Sequence, residues 1–316
     1  MISQKNIHET YEKIRSYIIE TPLIYAEELS KISGAKVYLK MEQMQVTGSF
    51  KIRGMLSKVL SIDTRDFNRP FVAASTGNHA AAFGYASEKF GFDGTLFLPL
   101  TISVAKMKAL KKYRIKKEIF GMNSSLAEKK ATEFAKESNA ILIHPYNDIE
   151  VIKGQGTLAK EIQKQLPEVD CVLVPVGGGG LVSGISLYFQ EEQVSVIGCQ
   201  PKNAAEMYES VKANTIVEPS SLKTISDASA GGIEEGAITF DICKKYVEHY
   251  EIIEEEAIKE ALTYFIQQYD TIIEPTSALP VAAIMNSKKY QGKNVVLVLT
   301  GSKINDTLLT EIINKK

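Results

Sequence analysis

Lys51 is the residue in this sequence best suited to act as a nucleophile, because small and apolar residues surround it. It lies in the segment Thr47-Gly48-Ser49-Phe50-Lys51-Ile52-Arg53-Gly54, where a helix is predicted to start. A lysine amine is nucleophilic only when it is neutral, and partial burial lowers its pKa toward that state. Taken alone, however, this segment is explained better by a surface lysine on an ordinary first helical turn.

A second polar segment, Ser75-Thr76-Gly77-Asn78-His79, directly follows a predicted strand. A loop at the start of a helix presents free backbone N–H groups and a partial positive charge, which suit a carboxylate. Ser, Thr and Asn are also common there simply as helix caps. The chain has four histidines and no paired ligand spacing among them, so a metal or acid–base role for His79 has little support.

A run of four glycines, Gly177-Gly178-Gly179-Gly180, is followed by Leu181 and lies between a predicted strand and a predicted helix. Consecutive glycines cost backbone entropy that a simple turn does not require. Their backbone N–H groups can wrap closely around an anion. No Gly-Lys-Ser/Thr follows, so the run is not a P-loop, and it does not match the G-x-G-x-x-G dinucleotide pattern. A flexible turn is the alternative interpretation.

These segments follow short apolar runs that predict strands buried on both faces, because the runs are rich in Val, Ile and Leu. Amphipathic stretches between the runs predict helices at residues 124–137, 151–166, 181–190 and 254–268. Alternating strands and helices predict an α/β fold with mostly parallel sheets, in which ligands bind beyond the C-terminal ends of the strands. The predicted strands are residues 37–39, 71–74, 95–98, 141–144, 171–176, 194–199 and 295–299.

The composition is that of an ordinary globular protein with a net charge of −1, so no strong field attracts nucleic acid or anionic lipid. The basic stretch 106–117 is interpreted as a solvated helix face. No apolar run is long enough to span a membrane, and the N-terminal residues lack the apolar core of a signal peptide. Of the three cysteines, Cys171 and Cys199 are predicted to be buried thiols, which favours a reducing cytoplasm.

The chemical segments together resemble the serine/threonine dehydratase and serine racemase group of fold-type-II pyridoxal-phosphate (PLP) enzymes. The resemblance extends over nearly the whole chain and keeps the order of the family's motifs. It rests on Lys40-Met41-Glu42, the stretch from Gln45 to Gly54, Ser75 to His79, Gly154-Gln155-Gly156-Thr157, the glycine run, Asp227 with Gly231-Gly232, and Glu274-Pro275-Thr276. The resemblance implies two open, mostly parallel sheets wrapped by helices, as in the tryptophan synthase β fold. It also implies a small domain at residues 45–145 and a large cofactor-binding domain at 1–44 plus 146–316.

The resemblance also implies a role for each matching residue. Lys51 would hold PLP as a Schiff base and later move the Cα proton, and Phe50 would pack near the cofactor ring. Asn78 would bind the ring's 3-hydroxyl, and Thr300, which follows the last predicted strand, would face the pyridine nitrogen. The backbone of Gly177, Gly178, Gly179, Gly180 and Leu181 would hold the phosphate. The loop Ser75, Thr76, Gly77, Asn78 and His79 would grip the substrate carboxylate.

The implied reaction is the deaminating β-elimination of a small β-hydroxy amino acid, foremost L-threonine or L-serine, to a 2-oxo acid and ammonia. Several alternatives stay open: a serine or aspartate-type racemase, a hydroxyaspartate dehydratase, and a threonine-synthase-like enzyme. A different class of protein is a non-catalytic binder of a phosphorylated ligand, for which Lys51 would have no purpose. The family also implies a homodimer or homotetramer, and no nucleic-acid or membrane partner is expected.

Three departures from the family pattern concern substrate and metal rather than cofactor. Thr76 stands where the racemases carry a second serine, so little or no racemisation is expected. The racemases' divalent-cation site falls on Gln200, Ala204 and Glu206, and the loss of one charge at Gln200 argues against bound Mg²⁺ or Ca²⁺, although amide and carbonyl oxygens can still ligate. The last predicted strand is followed by Thr300-Gly301-Ser302-Lys303 instead of the usual Ser-Gly-Gly-Asn, which bears on substrate choice.

Overall fold

A computed structural model of the protein describes residues 2–218 and 222–314, and the strands of this part of the chain form two sheets. The sheets are built from β1 (Leu23–Tyr25), β2 (Lys36–Met41), β3 (Phe71–Ala74), β4 (Gly94–Leu98), β5 (Lys116–Ile119), β6 (Ile141–Leu142), β7 (Cys171–Pro175), β8 (Ser195–Pro201), β9 (His249–Ile253) and β10 (Asn294–Leu299).

The larger sheet has six strands in the order β1-β2-β10-β7-β8-β9, and the smaller has four in the order β5-β4-β3-β6. Only the β1–β2 pair is antiparallel, while every other pair in the described residues is parallel. The central strands β7 and β10 are almost entirely buried, as parallel strands covered by helices on both faces must be. The predicted α/β fold with two mostly parallel sheets is confirmed.

Helices cover both sheets. They are α1 (Gln4–Ile14), α2 (Glu27–Ser33), α3 (Lys51–Ser61), α4 (Asn78–Phe90), α5 (Val104–Leu110), α6 (Ser124–Glu137), α7 (Ile149–Gln165), α8 (Gly180–Phe189), α9 (Glu206–Ala213), α10 (Ile238–Tyr246), α11 (Glu255–Tyr269), α12 (Ala278–Met285) and α13 (Asp306–Ile313). All four predicted helices are present, with ends within two residues of those expected. No helix in the described ranges is both long and apolar enough to cross a membrane.

The interpretation of residues 106–117 as one helix face is wrong. Helix α5 ends at Leu110, and the basic run continues through a turn into strand β5, where Lys116 and Lys117 lie. Lys106 is not simply solvated, because its Nζ lies 2.8 Å from Asp227 Oδ2. The basic run therefore spans two secondary-structure elements, and its Lys106 forms an ion pair with a residue that is distant in the sequence.

Helix α7 is wedged between α3 and α8, and glycines allow this close contact. A Cβ atom on Gly154 would lie 2.5 Å from the carbonyl oxygen of Arg53 in α3. A Cβ on Gly156 would lie 2.8 Å from the carbonyl oxygen of Gly184 in α8. Any larger residue would force the backbones apart, so the motif that contains these glycines fixes the spacing of the helices that begin at Lys51 and Gly180.

A buried cluster of four charged residues anchors α3 just beyond Lys51. Arg53 donates to both carboxylate oxygens of Glu42 at 2.8 Å and to those of Glu161 at 2.7 and 2.8 Å. Lys40 Nζ donates to Glu161 at 2.7 Å. Each of these side chains is at most 1% exposed, and two cations balance two anions, which makes their burial tolerable.

The domain boundaries stay a prediction. The four-stranded sheet lies within the predicted range 45–145, and the six-stranded sheet lies within 1–44 plus 146–316. Residues 1, 219–221 and 315–316 of the second range lie outside the described residues.

Candidate active site

Lys51 is the first residue of α3, and backbone contacts hold its segment against the end of β10. The N–H of Phe50 donates to the carbonyl of Thr300 at 3.1 Å, and the N–H of Ser302 donates to the carbonyl of Gly48 at 3.1 Å. Ser49 and Gly301 form an isolated antiparallel bridge. These contacts bring together Lys51 and Thr300, which are far apart in the sequence.

The side chain of Lys51 is partly buried, and its amine has one hydrogen-bond acceptor in the described structure. Nζ donates to the carbonyl oxygen of Pro145 at 2.8 Å and lies 5.2 Å from the centre of the Phe50 ring. Burial lowers the pKa of Lys51 to about 8, although the carboxyl groups of Glu128 and Glu274 oppose the shift. A substantial fraction of the amine is therefore neutral near pH 8, as a nucleophile or proton acceptor requires.

Asn78 and Thr300 meet at a buried carboxyl group that sequence reasoning did not assign a role. Thr300 Oγ1 donates to Glu274 Oε1 at 2.7 Å, and Asn78 Nδ2 donates to Glu274 Oε2 at 2.7 Å. Glu274 is 2% exposed, and burial raises its pKa. The motif Glu274-Pro275-Thr276 was the available signal, but only the fold shows which side chains the carboxyl contacts.

The predicted substrate loop leads into α4, whose N-cap residue, Gly77, supplies no side-chain cap. The hydroxyl of Ser75 accepts a hydrogen bond from the N–H of Gly77 at 3.2 Å. The first N–H groups of a helix have no partner inside it, so they are available to an anion here. Lys303 Nζ donates to the carbonyl of Gly77 at 2.9 Å, which places a second lysine, not predicted for the site, against this loop.

The His79 side chain is 3% exposed, and its Nε2 lies 2.9 Å from the carbonyl oxygen of Ile143. Burial, followed by the charge of Lys51, lowers the pKa of His79 to about 3. The ring is therefore neutral at physiological pH and donates to that carbonyl, so its side chain fixes α4 against the end of β6. Only the backbone of His79 is left to serve the predicted substrate loop.

The glycine run joins β7 to α8, and its lack of side chains lets Tyr146 pack directly against its backbone. Gly179 has a φ of 87°, in the left-handed region that glycine adopts without strain. A Cβ on Gly178 would lie 2.4 Å from the Tyr146 ring, and one on Gly180 would lie 3.0 Å from Tyr146 Cα. The carbonyl of Gly178 accepts a 2.7 Å hydrogen bond from Thr239, and α8 has no side-chain cap.

These residues fit a phosphorylated aldehyde cofactor. Leu181, which follows the glycine run, is buried in the hydrophobic core. The first N–H groups of α8 therefore lie at the edge of that core. Among the described residues, Asn78 Oδ1 is a buried polar atom without a hydrogen-bond partner, and it could accept from a ring hydroxyl. A half-neutral amine, a phosphate-binding helix start and an unpartnered amide oxygen are the groups that PLP requires.

The proposed metal ligands do not form an obvious cation site. The Oε1 atom of Gln200 already accepts a 2.8 Å hydrogen bond from the N–H of Tyr208. Within residues 2–218 and 222–314, no group of three or more His, Cys, Asp or Glu side chains could hold a metal ion. Ala204 and Glu206 are buried near the end of β8. The weak expectation for a divalent cation stays a prediction.

Both buried-thiol predictions are confirmed, because Cys171 and Cys199 are free and buried, as is Cys243. Burial raises the pKa of the Cys171 thiol to about 11, so it stays protonated. None of these thiols is a nucleophile in competition with Lys51. The fold and the site therefore define a class: α/β proteins with a lysine of lowered pKa at one helix start and a glycine run at another, an arrangement that suits a phosphorylated aldehyde cofactor.

Comparison with known proteins places the chain within that class. A family model described as pyridoxal-phosphate dependent enzyme matches residues 14–301. The chain is 35% identical over 317 residues to an L-threonine ammonia-lyase of Thermotoga maritima, a match that covers 100% of this chain and 79% of that protein. It is 35% identical over 320 residues to a catabolic L-threonine dehydratase of Staphylococcus aureus, covering 99% and 92% of the two chains. Its fold matches maize serine racemase with a TM-score of 0.92 and 26% identity, covering 99% and 97%.

The chain belongs to the family of pyridoxal-phosphate dependent enzymes. The resemblance drawn from the motifs is thereby confirmed, as is the predicted cofactor. The residues assigned to that cofactor are brought to one place by the fold, but their individual roles stay predictions.

Proposed function

We propose that this protein is a PLP-dependent dehydratase that converts a small β-hydroxy amino acid, foremost L-threonine or L-serine, into a 2-oxo acid and ammonia. The observation that carries the proposal is the position of Lys51. Its partly buried amine lies 5.2 Å from the centre of the Phe50 ring and has a pKa lowered to about 8, and the backbone N–H of Phe50 donates to the carbonyl of Thr300. The names of the two relatives that match almost the whole chain agree with this reaction.

When bound, PLP supplies an electron sink for the substrate's Cα carbanion, and the protein supplies orientation and proton transfer. In the proposal the glycine run and the start of α8 bind the phosphate. The N–H groups at the start of α4 bind the substrate carboxylate. Lys51, once neutral, takes the Cα proton, because its pKa of about 8 makes it an effective base near physiological pH.

In the proposal Thr300 would lie at the pyridine nitrogen of bound PLP. Its neutral hydroxyl would stabilise a protonated pyridine nitrogen less than an ionised carboxylate would. The cofactor would then delocalise the charge on Cα less completely, which would favour loss of the β-hydroxyl over transamination. Glu274 holds the Thr300 hydroxyl in place through the 2.7 Å hydrogen bond.

The proposal is tested by measuring 2-oxo acid and ammonia release from L-threonine, L-serine and 3-hydroxyaspartate, with chiral analysis of the remaining serine. Stoichiometric release from L-threonine or L-serine, with no D-serine formed, is expected. Rapid inversion of serine would instead identify a racemase despite Thr76. Release of 2-oxo acid and ammonia from 3-hydroxyaspartate alone would identify a hydroxyaspartate dehydratase. A protein that binds PLP but transforms none of these amino acids would be the non-catalytic binder.

The predicted homodimer or homotetramer and the cytoplasmic location stay parts of this proposal. Support for the second comes from the free thiols of Cys171, Cys199 and Cys243, which suit a reducing compartment. Sedimentation of the holoenzyme measures the oligomeric state directly.

A further inference from the structure

A cavity of about 450 Å³ lies at the C-terminal ends of β3 and β6, under helix α6. Its wall includes Ala74, the residue before the predicted substrate loop, and Pro145. The carbonyl of Pro145 is the acceptor for Lys51 Nζ at 2.8 Å. The cavity therefore adjoins the reactive amine. None of the described residues that line it belongs to the cofactor site proposed above.

Glu128 projects from α6 into this cavity, and its carboxyl group has no assigned role. Within residues 2–218 and 222–314, that carboxyl makes no hydrogen bond or ion pair. The carboxyl group of Glu234, an exposed residue of the cavity wall, is engaged, because it pairs with His144 Nε2 at 3.2 Å and accepts a hydrogen bond from Asn147. Glu128 is thus a partly buried acid that is free to meet a ligand.

Burial keeps the carboxyl group of Glu128 protonated to higher pH than usual. It raises the pKa, His144 and Lys51 oppose the rise, and the Glu234 carboxyl adds to it. The remaining charged groups on the cavity wall, all from α6, are Lys129, Glu133 and Lys136. A carboxyl group that keeps its proton to higher pH is better suited to donate it.

We propose that Glu128 is the general acid that protonates the leaving β-hydroxyl group. This inference rests on the dehydratase function proposed above. Lys51 Nζ takes the proton from Cα, and the electron pair of that bond forms the Cα–Cβ double bond. The Cβ–O bond breaks with its electron pair on oxygen, the Glu128 carboxyl adds its proton, and water leaves. The Glu128 carboxylate regains a proton from solvent and Lys51 releases to solvent the proton that it took from Cα, so the enzyme is unchanged after each cycle.

The reaction needs such an acid because hydroxide is a poor leaving group. Lys51 accepts a proton in the same step and cannot also donate one at that moment. Glu128 lines the same cavity as Pro145, and the carbonyl of Pro145 accepts the 2.8 Å hydrogen bond from Lys51 Nζ, so both groups border this region. The cavity offers the space that the one- or two-carbon side chain of serine or threonine requires.

The test compares two substrates that give the same product and differ only in the leaving group. L-Serine loses hydroxide and needs an acid, whereas β-chloro-L-alanine loses chloride and needs none. Glu128→Gln keeps the size and polarity of the side chain but removes the acidic proton. We expect its kcat for pyruvate release from L-serine to fall about a hundredfold or more. Its initial rate with β-chloro-L-alanine should stay within about twofold of the wild-type holoenzyme.

Glu137→Gln is the matched control, because Glu137 lies on the same helix, is exposed and is not on the cavity wall. It should behave as wild type with both substrates. Equal losses on the two substrates in Glu128→Gln would overturn the inference and indicate a role in folding or binding. Unchanged activity with L-serine would overturn it as well. If the wild-type enzyme released a 2-oxo acid from neither L-threonine nor L-serine, the proposed function itself would fail, a result distinct from the other two.

A second readout does not depend on turnover. Carbon-13 NMR of carboxyl-labelled glutamate, with Glu128→Gln to assign the resonance, should show Glu128 titrating above the ordinary range of glutamate. If the resonance titrated at the ordinary pKa of glutamate, Glu128 would be ionised during turnover and could not donate the proton. That result would overturn its assignment as the general acid.

Discussion

Asn78 and Thr300 donate hydrogen bonds of 2.7 Å to opposite oxygens of a single carboxyl group, that of Glu274. Asn78 begins α4 beside the four-stranded sheet, and Thr300 directly follows β10 of the six-stranded sheet. The two side chains predicted to contact different edges of the cofactor ring are therefore held in register by one buried acid. Glu274 is a positioning residue for both.

The substitution Glu274→Gln should weaken cofactor binding. The amide can accept one of the two hydrogen bonds but presents a donor to the other partner, and leaving a buried polar group unpaired costs about 1–3 kcal/mol. The Kd of PLP for the apo-protein, measured by titration, should rise about tenfold or more. The control Glu254→Gln, which removes only an exposed ion pair with Lys202, should leave that Kd unchanged. An unaltered Kd in Glu274→Gln would refute the positioning role.

The substitution Arg53→Met should destabilise the fold strongly. It leaves the buried carboxylates of Glu42 and Glu161 without their main cation, and breaking a buried pair in this way costs about 3–5 kcal/mol. Urea unfolding of the apo-protein measures the loss. Arg65→Met is the control, because Arg65 pairs with Asp63 at the surface, and its effect should stay below about 1 kcal/mol. Equal losses of stability in the two variants would show that the buried charge cluster around Arg53 does not anchor the fold.

The substitution Gly178→Ala should affect the phosphate end of the cofactor selectively. The new methyl group would meet the Tyr146 ring at 2.4 Å, and that ring is held because its hydroxyl accepts a hydrogen bond from Glu234 N–H at 2.9 Å. The Kd of PLP should rise, whereas the weaker binding of pyridoxal, which has no phosphate, should change much less. Equal changes for the two compounds would indicate that residues 177–180 do not bind the phosphate.

Capture of PLP by the apo-protein should depend on pH through Lys51. Burial lowers its pKa from the ordinary value to about 8, so the neutral amine predominates above that pH and declines below it. The rate at which the visible band of the bound cofactor appears should fall about tenfold for each pH unit below 8 and level off above it. A rate that keeps rising to pH 10 would show an unperturbed lysine.

The interior of the fold was predictable from sequence, but of the described edge strands only β6 was predicted. Strands β3, β7 and β10 are buried on both faces, so their apolar runs predict them directly. Strands β1, β5 and β9 are edge strands with half-exposed residues, and no apolar run marks them. The predicted helix over 106–117 failed for the same reason, since its second half pairs as the edge strand β5.

The site divides in a similar way. Glycines and the lysine are visible in sequence because their residue types are unusual for their positions. Glu274 acquires its role from Asn78, 196 residues away, and Glu128 lies in a polar helix that looks like any solvated one. Only the folded chain shows that one carboxyl joins two cofactor contacts and that the other lines a cavity beside Lys51.

The central claim is that Lys51 carries the cofactor, and borohydride reduction followed by peptide mass spectrometry tests it most directly. Reduction fixes PLP covalently to whichever lysine holds it. The account predicts the cofactor mass on the peptide that contains Lys51, with no visible band and no labelled peptide in Lys51→Ala. Label on another lysine, such as Lys303 beside Gly77, or a wild-type protein that is not labelled at all, would contradict it.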